Sequence, residues 1–271
     1  MNARVSYNFR ILPAENTFLT AVSAAALYGK GVFTSIAVYN SKPFLWEKHW
    51  YRLSENASKM GIELGDLSEK TVKHALTDLI LLNGLKTGRA RVTIFDEAAG
   101  KLWNFESNKK TSLLITTADF QAAKDEFRLT VSPFPVNSKS PLAGIKSCNY
   151  MENLLALEDA RRRGFDEAIR LNEKSEIVSV SMANIFWVRR AKIFTPSLET
   201  GCLAGTTRAL LMENFPVSET NSILEELSNA DEIFLTSAGI GARPAFLKVA
   251  EEKNYAVVNK IKEFLASEGF H

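Results

Sequence analysis

With 271 residues, 46% of them hydrophobic and 24% charged, the chain is long enough to bury one large core or two modest ones. A net charge of +2, with no basic run longer than Arg161, Arg162 and Arg163, gives no reason to expect a nucleic-acid partner. Two cysteines without Cys-x-x-Cys spacing, three histidines far apart (His49, His74, His271), no apolar run of membrane-spanning length and an opening without a signal-type apolar segment lead to the expectation of a cytoplasmic, metal-free protein with no membrane partner.

Residues 32–39, VFTSIAVY, alternate like a strand and run through the turn NSKP into PFLW. The spacing predicts a helix over about 47–60, closed by Gly61, and another over about 68–82. RARVTIF (89–95) and TSLLITT (111–117) read as strands, which makes the first part an α+β unit. After TTADFQAAKDEF the texture changes: FRLTVSPF reads as a strand, and VNSKSPLAGIKSCN as a Pro/Ser/Asn-rich loop carrying Lys146. A helix is predicted over about 150–163, with Tyr150, Leu154 and Leu157 at i, i+4, i+7 and Gly164 as its stop. EAIRL, EIVSVS and ANIFWVRR then suggest a meander. A further helix begins after LAGTTR, and DEIFLTSAGIGARP reads as a buried strand entering a Gly-rich turn. The predicted division is 1–121, a linker at 122–126, and 127–271.

Several of these residues have chemical potential. Lys146 is either a solvated surface lysine or one desolvated at a strand–helix junction, where burial frees the amine lone pair for a Schiff base. Gly205, Thr206 and Thr207 open a helix, a place equally suited to an N-cap or to an anion held by free N–H groups. Thr236 and Ser237 end an apolar strand, at a tight turn or a close approach to a ligand. Arg52 lies three residues after His49, hence on the same helical face. None of these signals decides the matter singly.

Taken in order, the segments resemble the fold-type IV pyridoxal-phosphate enzymes, the class IV aminotransferases. This family includes branched-chain aminotransferases, D-amino-acid aminotransferase and aminodeoxychorismate lyase. LYGKGVF with HWYRL is similar to the family's opening, PLAGIKSCNYMENLLALEDARRRGFDEAIRLNE to its cofactor-lysine segment, and SMANIFWV to its Asn-Ile-Phe strand. LAGTTRALL and FLTSAGIGARP stand at its phosphate-side turns. The resemblance implies a two-domain α+β fold with pyridoxal 5'-phosphate in the interdomain cleft, and a homodimer. It implies that Lys146 holds the cofactor covalently and shuttles protons, that Arg52, Thr206, Thr207 and Ser237 hold its phosphate, and that Tyr150 reaches its ring hydroxyl unless it is a core aromatic.

Two departures stand out against that family. Its strand carries a Glu five residues before the Asn, where this chain has Ser179 before Asn184. Glu176 lies three positions from Ser179, an odd offset that turns it to the opposite face unless a bulge intervenes. A hydroxyl can bond a neutral pyridine nitrogen but cannot stabilise a pyridinium as a carboxylate does. Secondly, Phe95 and Asp96 stand where relatives often have Arg-Gly, which leaves Arg91 and Arg243 as candidate receptors for a substrate carboxylate, beside Phe33. The resemblance leads to amino-group transfer between a small amino acid and a 2-oxo acid. The alternatives are a lyase acting on aminodeoxychorismate, and a cofactor-binding protein impaired in catalysis.

Overall fold

The computed structural model describes residues 1–98, 110–247 and 255–270. The chain falls into two units: Met1–Ala122 with Ile145–Asn149, and Ala123–Gly144 with Tyr150–His271.

In the first unit the elements are β1 (Arg4–Tyr7), β2 (Arg10–Pro13), α1 (Ala24–Tyr28), β3 (Gly31–Tyr39), β4 (Lys42–Pro43), α2 (Trp46–Lys59), α3 (Glu69–Leu82), β5 (Gly88–Asp96) and β6 (Thr111–Asp119). The strands form one antiparallel sheet in the order β2-β1-β6-β5-β3-β4. Val32, Ile36 and Val38 of β3 meet Leu53 and Ala57 of α2 and Leu76, Leu79 and Ile80 of α3 in the core. Each large aliphatic side chain buried there contributes about 1.5–3 kcal/mol. A capping box between Ser68 and Thr71 starts α3, satisfying N–H groups the helix itself leaves unpaired. At the end of α2, Gly61 takes φ +64, the left-handed stop the sequence predicts.

The second unit contains β7 (Phe127–Val131), α4 (Met151–Arg162), β8 (Glu167–Leu171), β9 (Ile177–Val180), β10 (Asn184–Arg189), β11 (Lys192–Pro196), α5 (Thr206–Asn214), β12 (Val217–Thr220), α6 (Glu225–Ser228), β13 (Glu232–Ser237), β14 (Gly241–Phe246) and α7 (Ala256–Ser267). Its eight-stranded sheet runs β12-β11-β10-β13-β14-β7-β8-β9. The pairs β11–β12, β14–β7 and β7–β8 are parallel, and α4 lies on the connection that parallel β7 and β8 require. Ile169, Ile177, Ile185, Trp187, Ile233 and Leu235 form the core. The Glu232 carboxylate accepts N–H bonds from Val257 and Val258, both at 2.9 Å, and so caps α7.

The face of α4 differs from the expected one. Leu154 is 41% exposed, and the buried residues are Ala156, Leu157 and Ala160. Asn153, on the same side, donates to the Ser181 carbonyl at 2.8 Å. This helix therefore docks through Leu157, two alanines and one polar contact, while Met151, Leu154 and Leu155 point outward. Among the described residues, no helix is long and apolar enough to cross a membrane.

Candidate active site

Lys146 belongs to the first unit because its segment is stitched onto the free edge of β3. Phe33 N–H donates to the Lys146 carbonyl at 2.9 Å, Cys148 N–H to the Gly31 carbonyl at 2.7 Å, and Val32 bridges Ser147 antiparallel. Asn56 of α2 completes the seam by accepting the Lys146 N–H at 2.9 Å. Gly31 has no room for a side chain, since a Cβ there would lie 2.8 Å from that of Phe95.

The buried stripe of α2 carries His49, Arg52 and Asn56 at i, i+3 and i+7, three polar residues where a core helix normally presents apolar ones. Arg52 Nη2 donates to Thr34 Oγ1 at 3.0 Å, and Thr34 Oγ1 lies 2.6 Å from His49 Nδ1. Burial, with Arg52 and Lys146 adding like charge, pushes the His49 pKa well below its ordinary value. His49 is therefore neutral. An arginine only donates, so the Thr34 hydroxyl accepts from Arg52 and shares a second hydrogen bond with Nδ1 of the neutral His49. The relay holds Arg52 in one orientation.

The Lys146 ammonium is crowded by protein atoms, although part of the side chain still meets solvent. Burial first, and then repulsion from Arg52 and Arg91, lowers its pKa from 10.5 to about 7. Nζ lies 4.6 Å from the centre of the Phe33 ring, and the Arg91 guanidinium lies over the same ring at 3.6 Å. Arg91 Nε also donates to Thr93 Oγ1 at 3.3 Å, and the guanidinium bonds the Cys148 thiol, whose pKa burial raises. Lys146, Arg52, Arg91 and Phe33 are thus brought together in the first unit, an amine flanked by two guanidinium groups.

In the second unit, α5 opens on Gly205 with no side-chain cap, so its first N–H groups are not used by one. A Cβ on Gly205 would lie 1.9 Å from Asn184 Oδ1, and Asn184 Nδ2 donates to the Leu203 carbonyl at 2.8 Å. Thr207 Oγ1, and Thr236 Oγ1 on the neighbouring β13, are buried without a hydrogen-bond partner among the described residues. Ser237 Oγ accepts from Gly239 N–H at 3.2 Å, which leaves its proton available in the turn before β14. Arg208, which the sequence reading left unassigned within GTTR, is 4% exposed and ties α5 to the Pro196 carbonyl and to Glu219.

The remaining expected residues lie elsewhere on the second unit. Tyr150 is the N-cap residue of α4, not a residue of its apolar face, and it neighbours Arg170. Arg243 Nη1 donates to the Ala242 carbonyl at 3.2 Å, and its electrostatic neighbour is Lys262 of α7. Ser179 lies on β9 opposite Arg170 of β8. A bulge does occur, with Val178 unpaired between Ser179 and Ile177. It does not free Glu176, whose carboxylate accepts from Asn172 Nδ2 at 2.7 Å. Glu167, also unanticipated, opens β8 at 5% exposure; burial raises its pKa to about 7 against bonds from Ser181 and the backbone of Met182 and Ala168.

Residues 31–245 match the family model described as amino-transferase class IV. The chain is similar to aminodeoxychorismate lyase of Bacillus subtilis (strain 168), at 28% identity over 92% of this chain and 87% of the relative. It is also similar to D-alanine aminotransferase of Staphylococcus aureus (strain COL), at 25% identity over 99% and 92%. The crystal structure of Escherichia coli branched-chain amino acid aminotransferase shares its fold, with a TM-score of 0.91, 24% identity, and coverage of 98% of this chain and 94% of that one.

Proposed function

The chain belongs to the amino-transferase class IV family, and from that premise we propose that it is a pyridoxal-phosphate enzyme that moves an amino group between a small amino acid and a 2-oxo acid. The observation that carries the reading is the amine of Lys146, flanked by two guanidinium groups and lowered to about 7. The donor set fits the cofactor. Among the described residues, Thr207 Oγ1 and Thr236 Oγ1 are buried without partners, and α5 opens on Gly205 without a side-chain cap, where a Cβ would collide with Asn184. Hydroxyls at the start of a helix suit a phosphate.

In this proposal Arg52, Thr206, Thr207 and Ser237 bind the phosphate, Tyr150 the ring hydroxyl, and Ser179 the ring nitrogen. The bound cofactor supplies an aldehyde that captures amines and a ring that withdraws electrons from the substrate carbon. Lys146 supplies the rest. At neutral pH about half of its amine is unprotonated, so one nitrogen can attack a carbonyl in one protonation state and deliver a proton in the other. Phe33 and Cys148 hold Arg91 in place beside Lys146, which suits it to receive a substrate carboxylate. The position of Arg243 beside Lys262 favours Arg91 for that role.

The 28% identity to a chain named aminodeoxychorismate lyase favours a second reading, release of p-aminobenzoate and pyruvate from aminodeoxychorismate. Incubation of the loaded protein with a mixed pool of L- and D-amino acids tests the first, since transfer yields pyridoxamine phosphate, detected after denaturation. Its absence, together with p-aminobenzoate and pyruvate from aminodeoxychorismate, would establish the lyase instead.

A further inference from the structure

Two adjacent strands of the second unit hold a buried cation beside the serine that replaces a carboxylate. In the antiparallel pair of β8 and β9, Arg170 is opposite Ser179, which puts both side chains on one face of the sheet as cross-strand neighbours. Arg170 is 1% exposed. Its Nε donates to the Phe134 carbonyl at 3.2 Å and its Nη2 to Glu152 Oε2 at 3.5 Å. Among the described residues, Nη1 donates to nothing. Glu152 is 77% exposed, so water screens most of its attraction. Glu176 is engaged by Asn172, and Glu167, three positions before Arg170 on β8, is turned to the opposite face by that odd offset. A guanidinium so enclosed, with both Nη1 hydrogens unused by the described residues and only a screened carboxylate partner, is costly for the protein alone.

Resting on the reading that Ser179 stands beside the ring nitrogen of pyridoxal phosphate, we propose that Arg170 acts with Ser179 to bind that nitrogen in its unprotonated form. A neutral pyridine nitrogen accepts a hydrogen bond, and both Ser179 Oγ–H and Arg170 Nη1–H are donors. A pyridinium would bring a second positive charge against a guanidinium that cannot give up its own proton. The family's carboxylate favours the pyridinium, and this pair opposes it. Arg170 is thus a specificity-determining residue. It weakens the ring as an electron sink and slows amino-group transfer relative to a site with a carboxylate.

The test loads the full-length protein with cofactor labelled with nitrogen-15 in the ring and reads the nitrogen chemical shift. The wild type is expected to show the free-base shift, unchanged by acidification throughout the folded range, and Ser179→Glu with Arg170→Leu the protonated shift. A wild-type nitrogen that is protonated at neutral pH would overturn the proposal, and this reading needs no variant to fold. Borohydride reduction followed by peptide mass measurement is run in parallel. A cofactor fixed to Lys146 with a protonated ring nitrogen overturns the role of Arg170 alone, whereas no fixed cofactor overturns the functional reading and this inference together.

Discussion

Replacing Lys146 by Met in the cofactor-free protein is expected to stabilise the fold at neutral pH. The folded state holds the Lys146 proton only below about 7, whereas the ordinary value is 10.5. Between those values the unfolded chain binds more protons, so stability rises with pH across that window. The penalty is complete below about 7 and gone above 10.5. A shift of about 3.5 units corresponds to about 5 kcal/mol. The part of the side chain that meets solvent is screened, which brings the expected figure to roughly 2–3 kcal/mol. Methionine fills much of the same volume without a charge. Urea unfolding of wild type and Lys146→Met at a series of pH values would show the variant more stable near pH 7, by that amount, with the difference closing towards 10.5. Arg52→Met, which removes one repelling cation, is expected to shrink the gain. A difference that does not change with pH, or a variant less stable at neutral pH, would refute the reasoning.

Three further outcomes are expected. Thr34→Val removes the group between Arg52 and His49 and leaves Nδ1 buried without that partner, at a cost of about 1–3 kcal/mol; calorimetry and cofactor titration should show lower stability and weaker binding together. Thr207→Val keeps the shape and removes a hydroxyl that has no partner among the described residues, so cofactor-free stability should hold or rise by up to about 1 kcal/mol while cofactor affinity falls roughly tenfold. Glu167 keeps its proton in the folded state up to about 7 against an ordinary 4.5, so its contribution falls as pH rises through that window. Glu167→Gln should therefore stabilise the protein above pH 7 by up to about 3 kcal/mol, and have no effect below 4.5; equal unfolding midpoints for the two proteins above pH 7 would contradict this.

Strong periodicity made the helices of the first unit legible: α2 and α3 lie within a residue or two of the ranges read from spacing. The strands β3, β5 and β6 were legible for the same reason. Short or weakly patterned elements were not, and the four-residue strands β1 and β2 received no assignment. On α4 the apolar i, i+4, i+7 series holds at Leu157 and fails at Leu154, which is exposed, because Ala156 and Ala160 complete the packing face. The return of Ile145–Asn149 to β3 is a pairing across more than a hundred residues, which no local pattern encodes. Spacing alone left Lys146 undecided, and the family resemblance carried the site. Arg170 escaped notice because an arginine in EAIRL reads as solvated; only the register with Ser179 reveals its position. The odd offset of Glu176 assumes an unbroken strand; the bulge at Val178 breaks that parity, and the bond to Asn172 is what holds its carboxylate.

The most direct test of the central claim is where the cofactor attaches. Protein incubated with pyridoxal phosphate, reduced with borohydride and digested should carry the added mass on the peptide containing Lys146 and on no other, and Lys146→Ala should carry none. An adduct spread over surface lysines, or one that survives Lys146→Ala unchanged, would contradict the account.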